Sequence, residues 1–320
     1  MPAESRPAPP GPPPPGSRTV RTDDGVGLHV EFDGDPTARL TVVLTHGSTA
    51  RLAEWQPQVD ALRDRARFVL WDHRGHGRSS WTRPTEATID RTGRDLGEVL
   101  DAAVPEGPVV LAGHSMGGMS IMALARQRPE LFGPRVVGVF LLATSAGGLV
   151  SRGLLGAAVL VLRRIGLLRL YLRWLQLTAP LLERFRRRGT ALGRWFTRRY
   201  LFGRDDADPE SVRRVQQLLE ETPVPVAAAF YATFLDHDET AALPVLGRVP
   251  VTVVAAQHDR LTPKAHGRRL ARRIGRRAEL VVVPGAGHSV NLTRPEVVNR
   301  AFAELLDRVE AVQATDRRTG

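Results

Sequence analysis

The run Gly113-His114-Ser115-Met116-Gly117-Gly118 sets one serine between glycines two residues before and two after it. It follows the apolar run Val109-Val110-Leu111-Ala112 and precedes a helical pattern, Met119–Arg128. A strand-to-helix turn this sharp forces strained backbone on its central residue, and small flanking residues leave room for it. The Ser115 hydroxyl is then held above a sheet edge, beside a helix N-terminus. A serine hydroxyl is a poor nucleophile at neutral pH and needs a base. His288 ends Pro284-Gly285-Ala286-Gly287-His288, directly after the apolar run Leu280–Val283. Asp259 follows the run Val251–Ala255, and Pro263 closes its loop. A carboxylate there can orient the imidazole and stabilise the imidazolium. Either residue alone reads as an ordinary turn cap. Together, on loops at one sheet edge and in the order Ser…Asp…His, Ser115, Asp259 and His288 spell nucleophile, orienting acid and general base.

The elements that must position them are legible as strands and helix-length segments in alternation. Thr19–Arg21 and Leu28–Phe32 read as short strands around the turn at Asp24-Gly25. Leu40–Thr45, Phe68–Trp71, Val109–Ala112, Val136–Leu142, Val251–Ala255 and Leu280–Val283 are continuous apolar runs. Runs of that kind suit strands covered on both faces, and the alternation implies βαβ units. The expectation is an α/β fold with a mostly parallel, eight-stranded sheet flanked by helices. The alternation breaks near Gly147 and resumes at Val249, with helical patterns at Leu154–Leu175, Leu181–Tyr200 and Glu210–Leu219. We therefore expect a core of residues 18–147 and 249–313, with residues 148–248 inserted as a helical cap. Residues 1–17, mostly Pro with Ala, Gly and Ser, read as a disordered tail, and 314–320 as a flexible end. The tail has no apolar stretch of the kind a secretory signal needs. Arg163, Arg164, Arg169 and Arg173 interrupt the best transmembrane candidate. A cytoplasmic protein, with peripheral membrane contact as an option, is the expectation.

The chain has no cysteine, so disulfides, thiol catalysis and cysteine-ligated zinc are excluded. Between Val150 and Arg204 stand thirteen arginines against the single acid Glu183, a balance exceeding the whole net charge of +11. The remainder is near neutral, so nucleic-acid binding is not needed to explain the total. Basic and apolar side chains so mixed suit a lid whose Arg face is solvated, or one that touches anionic membrane.

At these residues the sequence resembles the α/β-hydrolase superfamily, from about Arg18 to Val312. His46-Gly47-Ser48, after Leu40–Thr45, looks like the family's oxyanion loop. Asp72-His73-Arg74-Gly75-His76-Gly77-Arg78-Ser79 looks like its Asp-x-Arg-Gly-x-Gly-x-Ser turn. Gly113–Gly117 looks like the nucleophile elbow, with Asp259–Pro263 and Gly287-His288 as the acid and base loops. The resemblance implies an oxyanion hole from the backbone N–H groups of Ser48 and Met116, supported by His46, Gly47, Gly113 and Gly117. Epoxide hydrolases and haloalkane dehalogenases of this fold carry Asp where this chain has Ser115. A His-Gly-Gly-Gly loop, the mark of one esterase branch, is replaced by His-Gly-Ser. Ala255-Ala256-Gln257-His258 precedes the acid where many relatives have Gly.

The expected activity is hydrolysis of carboxylic esters with apolar acyl groups, lipids among them, through an acyl-enzyme. The chain is similar to monoacylglycerol lipases and capped carboxylesterases. Carbon–carbon bond hydrolysis, cofactor-free perhydrolysis, and a non-catalytic ligand receptor are the alternatives. No metal or organic cofactor is called for: the glycine runs lack dinucleotide-binding spacing, and His237 between Asp236 and Asp238 is a weak metal signal. His73 and His76 read as structural, His46 as ordering the oxyanion loop, and His114 as packing beside the elbow.

Overall fold

Alternate residues of each apolar run project to opposite faces of the sheet, so a strand apolar throughout must be covered on both sides. A computed structural model describes residues 16–81, 83–149, 161, 167, 195, 198–203, 209–220, 222–234 and 236–319. It has eight strands: β1 (Arg18–Arg21), β2 (Gly27–Gly34), β3 (Thr41–Thr45), β4 (Arg67–Trp71), β5 (Val109–His114), β6 (Val136–Leu142), β7 (Val251–Ala256) and β8 (Ala278–Val283). They form one sheet in the order β1-β2-β4-β3-β5-β6-β7-β8. The β1–β2 and β2–β4 pairs are antiparallel and all later pairs parallel, as expected.

The principal helices are α1 (Gln56–Leu62), α2 (Ile89–Ala103), α3 (Met116–Gln127), α4 (Pro209–Glu220), α5 (Val224–Phe234), α6 (Lys264–Ile274) and α7 (Pro295–Thr319). Val43, Leu111 and Val139 turn to one face, where Leu96 and Leu100 of α2, Ile121 and Met122 of α3, and Leu270 of α6 cover them. Val42, Val110 and Phe140 turn to the other, against Val59 of α1 and Phe302, Leu305 and Leu306 of α7. Phe140 and Phe302 stack with ring centroids 4.4 Å apart.

Helix α4 matches the pattern read at Glu210–Leu219. The other two expected insertion helices, most of the arginine-rich stretch and the membrane contact assigned to it lie outside the described residues. So do residues 1–15 of the Pro-rich tail. Helix α7 runs to Thr319, across the end expected to be flexible. No Pro or Gly interrupts 314–319. Among the described residues no helix is long and apolar enough to cross a membrane.

A buried charge network ties the turn after β4 to α2 and to the β1–β2 hairpin. Arg74, fully shielded from solvent, donates from Nε and Nη2 to the two Asp95 oxygens, at 2.7 Å each, and from Nη1 to Asp24 at 2.9 Å. Arg91 donates to Asp95 at 3.2 Å and to Glu98 at 3.2 Å. Removing one member of such a pair leaves an uncompensated buried charge. Asp95→Ala is therefore expected to lower unfolding free energy by about 3–5 kcal/mol in a urea melt; a loss under about 1 kcal/mol would mean that water relieves Arg74.

Candidate active site

Ser115 sits between β5 and α3 with φ 50° and ψ −113°, a region that non-glycine residues rarely occupy. Its N–H donates to Leu142 O at 2.9 Å, and Thr144 Oγ1 donates to its carbonyl at 2.6 Å. The turn passes so close to β3 that a Cβ on Gly117 would lie 2.1 Å from Thr45 O. One on Gly113 would lie 2.5 Å from the carbonyl carbon of Gly117. Only glycine fits at either place.

Asp259 is fully buried within the turn that follows β7. Its Oδ1 accepts from the N–H groups of Leu261 and Thr262, both at 2.8 Å. Its Oδ2 accepts from His288 Nδ1 at 2.8 Å and lies 2.7 Å from Thr262 Oγ1. Burial opposes its charge, yet His288 and these hydrogen bonds hold its carboxyl below the usual aspartate value. With Nδ1–H donated to Asp259, Nε2 is left as the acceptor, the form a base requires. The two loops are zipped together: His258 N–H donates to Ala286 O at 2.9 Å, and Gly285 N–H to Gln257 Oε1 at 3.0 Å. Gln257, part of the departure before the acid, thus holds the base loop.

His288 and Asp259 are therefore joined directly. Ser115 reaches the same edge through its neighbour His114, whose ring centroid lies 4.9 Å from that of His288. No hydrogen bond joins Ser115 Oγ to His288 among the described residues; such bonds are often long before substrate arrives. Met116 is the first residue of α3, where a helix leaves its N–H unsatisfied. The Ser48 N–H also has no protein acceptor among the described residues. His46 Nδ1–H donates to Gly47 O at 2.7 Å. In a trans peptide the C=O and the following N–H point opposite ways, so this bond turns Ser48 N–H away from His46.

His46, His73 and His76 form a buried cluster, with ring centroids 4.6 Å apart for His46–His73 and 5.3 Å for His46–His76. His46 Nε2 accepts from His73 N–H at 2.9 Å, His73 Nε2–H donates to His46 O at 3.1 Å, and His76 Nε2 accepts from Thr49 N–H at 3.1 Å. Each ring is neutral, its tautomer set by a backbone partner. His237 Nε2–H donates to Ser145 O at 2.9 Å, a backbone contact. Asp95, a conceivable alternative acid, is spent on Arg74 and Arg91.

Missing from the sequence reading were Thr262, Thr144, Gln257 and Glu54. Thr262 left a trace, since a hydroxyl three residues after an Asp is a common turn partner. Gln257 stood within the run noted before Asp259, but nothing local told that its side chain takes Gly285 N–H. Thr144 and Glu54 are brought in from distant elements and left no trace.

Burial, then neighbouring imidazoles, hold His46 and His73 well below the ordinary value of 6.5. Their folded values lie under the unfolded one. Their contribution to stability is thus present above pH ~6.5 and lost as pH falls towards the folded values. Burial pushes Asp72 up to about 6, which runs the other way, so the check is comparative. The stability of the wild type minus that of His73→Gln should shrink as pH drops from about 7.5 to 5. A difference that stays flat would mean that the ring is hydrated in the folded state.

The Alpha/beta hydrolase family matches residues 42–301. A Caulobacter sp. (strain K31) protein provisionally named carbamate hydrolase RutD is 31% identical over 291 residues, spanning 88% of this chain and 96% of its own. The 3-oxoadipate enol-lactonase 2 of Acinetobacter baylyi is 26% identical over 84% of this chain and 90% of its own. A thermophilic esterase of Thermogutta terrifontis superposes with a TM-score of 0.71 at 26% identity, covering 92% of this chain and 98% of that one. With a matching sheet and similarity across nearly the whole length, the chain belongs to the alpha/beta hydrolase family and is a hydrolase.

Proposed function

We propose that the protein is a serine hydrolase that cleaves carboxylic esters of apolar acids through an acyl-enzyme. The observation that carries this reading is the strained Ser115 at the head of α3, φ 50°, on the same sheet edge as the His288–Asp259 pair. His288 Nε2 takes the Ser115 proton as Oγ attacks the acyl carbon. Charge that develops on the carbonyl oxygen is met by the N–H groups of Met116 and Ser48, and losing one such donor typically costs ~10²–10³ in rate. His288 then protonates the leaving alkoxide and later takes a proton from water, which releases the acid. Asp259 fixes the tautomer and stabilises the imidazolium.

The preference for apolar acyl groups rests on the elbow's surroundings. Met116 and Met119 pack with Val226, Ala229 and Phe230 of α5 in an apolar cluster, and Phe230 lies 5.4 Å from His76. On the other flank, Ser289 N–H donates to Leu201 O at 3.0 Å. The inserted segment thus touches loops on both sides of the proposed nucleophile, as a cap would. The relatives are named for a carbamate, an enol-lactone and an ester, all acyl groups bonded to a heteroatom. That common chemistry favours acyl transfer over carbon–carbon cleavage.

Fluorophosphonate should label Ser115 in the wild type. Ser115→Ala should remain folded and lose at least ~10³ in kcat on a short soluble ester. His288→Ala should match it, and the double variant should be no worse than the worse single one; losses that multiply would place the residues in separate steps. Asp259→Asn should lose less than Ser115→Ala but still more than tenfold. An ester panel read against a dienone separates the two hydrolytic chemistries. Turnover of the dienone alone would sink the ester assignment, and activity in Ser115→Ala would remove the nucleophile.

A further inference from the structure

One buried charged pair at the site has no part in the chemistry above. Glu54 lies on the short helical turn Leu52–Trp55 and is only 3% exposed; His114, the last residue of β5, is 5% exposed. The His114 Nδ1 donates to the Glu54 carboxylate, 3.2 Å from Oε1 and 3.1 Å from Oε2. Its Nε2 donates to the carbonyl of His288 at 3.2 Å. The His288 carbonyl can only accept, so Nε2 carries a proton; with Glu54 as a carboxylate, which also takes the Gly47 N–H, Nδ1 carries one too and the pair is an imidazolium with a carboxylate. Glu54 also accepts from Gly47 N–H at 2.7 Å. The His114 ring lies directly against Gly47, where a Cβ would come within 2.9 Å of Nδ1. Asn291 Nδ2 donates to Glu54 O at 3.0 Å, which anchors the turn to the chain just beyond His288.

We propose that Glu54 and His114 are positioning residues: a buried ion pair that clamps the oxyanion loop at Gly47 to the base loop at His288. The proposal rests on the serine-hydrolase reading. Gly47 is held on both sides, its N–H by Glu54 and its C=O by His46, so the Ser48 N–H that follows has one direction available. The other end of the clamp grips the His288 backbone, whose ring must face Ser115 while its Nδ1 keeps Asp259. Two loops from opposite ends of the chain are thereby kept in register without either charged group touching substrate. The groups that face His114 are Glu54, His288 with Asp259 behind it, and His46. Burial works against its charge, yet Glu54, the His288 carbonyl and Asp259 leave it above the ordinary imidazole value.

The test separates positioning from bulk structure. Glu54→Gln keeps an acceptor for Gly47 but removes the charge, His114→Asn removes the bridge, and Glu54→Asp restores the carboxylate one methylene short. On a short soluble ester, Glu54→Gln and His114→Asn should lose kcat on the order of 10–100-fold, as displaced catalytic groups do, with KM within about threefold. Inhibition by an alkyl boronic acid, whose tetrahedral adduct needs the same donors, should weaken by the factor lost in kcat/KM. Glu54→Asp should recover part of the loss, and Glu54→Gln/His114→Asn should be no worse than the worse single variant. A folded Glu54→Gln with wild-type kcat, a loss confined to KM, or losses that multiply in the double variant would overturn the clamp. Should Glu54→Gln fail to fold, His114→Asn carries the same two outcomes. Fluorophosphonate labelling of Ser115 in the wild type is read alongside. Its presence with an unaffected Glu54→Gln rejects the clamp alone, and its absence rejects the serine-hydrolase reading beneath it.

Discussion

The arrangement depends on one close approach, that of the turn at Ser115 to the end of β3. A Cβ at Gly117 would meet Thr45 O at 2.1 Å, so the turn can be this tight only because no side chain stands there. The tightness forces Ser115 to φ 50°, a conformation that costs about 1–3 kcal/mol in a non-glycine residue. It persists because the neighbours determine it from several sides. Leu142 takes its N–H, Thr144 takes its carbonyl, and α3 leaves in a direction fixed by packing against α2 and the sheet. The strain therefore rests on the core rather than on the loop. The turn also sets Ser115 directly before Met116, the first residue of a helix, whose N–H has no partner within the helix.

Around that turn the environment sorts chemically identical side chains into different states. His46 and His73 meet backbone amides and carbonyls and other rings, which set a tautomer but offer no counter-charge, so burial keeps them neutral. His114 meets a carboxylate on one nitrogen and a carbonyl on the other, so its charged form is the one that satisfies both. His288 has Asp259 on Nδ1 alone, which leaves the remaining nitrogen free to accept a proton. The difference lies in what faces each ring, and not in how deeply the rings are buried.

The sheet was legible because its signals are local. Val42, Val43 and Leu44 are apolar in a row since β3 is covered on both faces, and the same holds along β5 and β6. The Gly-x-Ser-x-Gly spacing was legible because the sterics of the turn act within five residues. Loops after β7 and β8 lie at one edge once the strands are parallel, which puts Asp259 and His288 there from topology alone. The continuation of α7 to Thr319 was not legible, because composition alone is a weak guide to helix continuity where no Gly or Pro intervenes.

By itself, then, the sequence determined the eight strands, the parallel topology, the strained serine and the two loops that carry His288 and Asp259. Each depends on period, spacing or steric size, which a chain displays without folding. Tertiary structure alone decided the rest. Glu54 reaches Gly47 and His114 because a short helical turn lands beneath the elbow, sixty residues from it in sequence. Gln257 braces the loop that carries His288 through a contact that no periodicity encodes. Arg74 finds Asp24 and Asp95 at separations of 50 and 21 residues. A buried polar group takes whichever complementary partner folding brings within about 3 Å, and that partner has no fixed place along the chain.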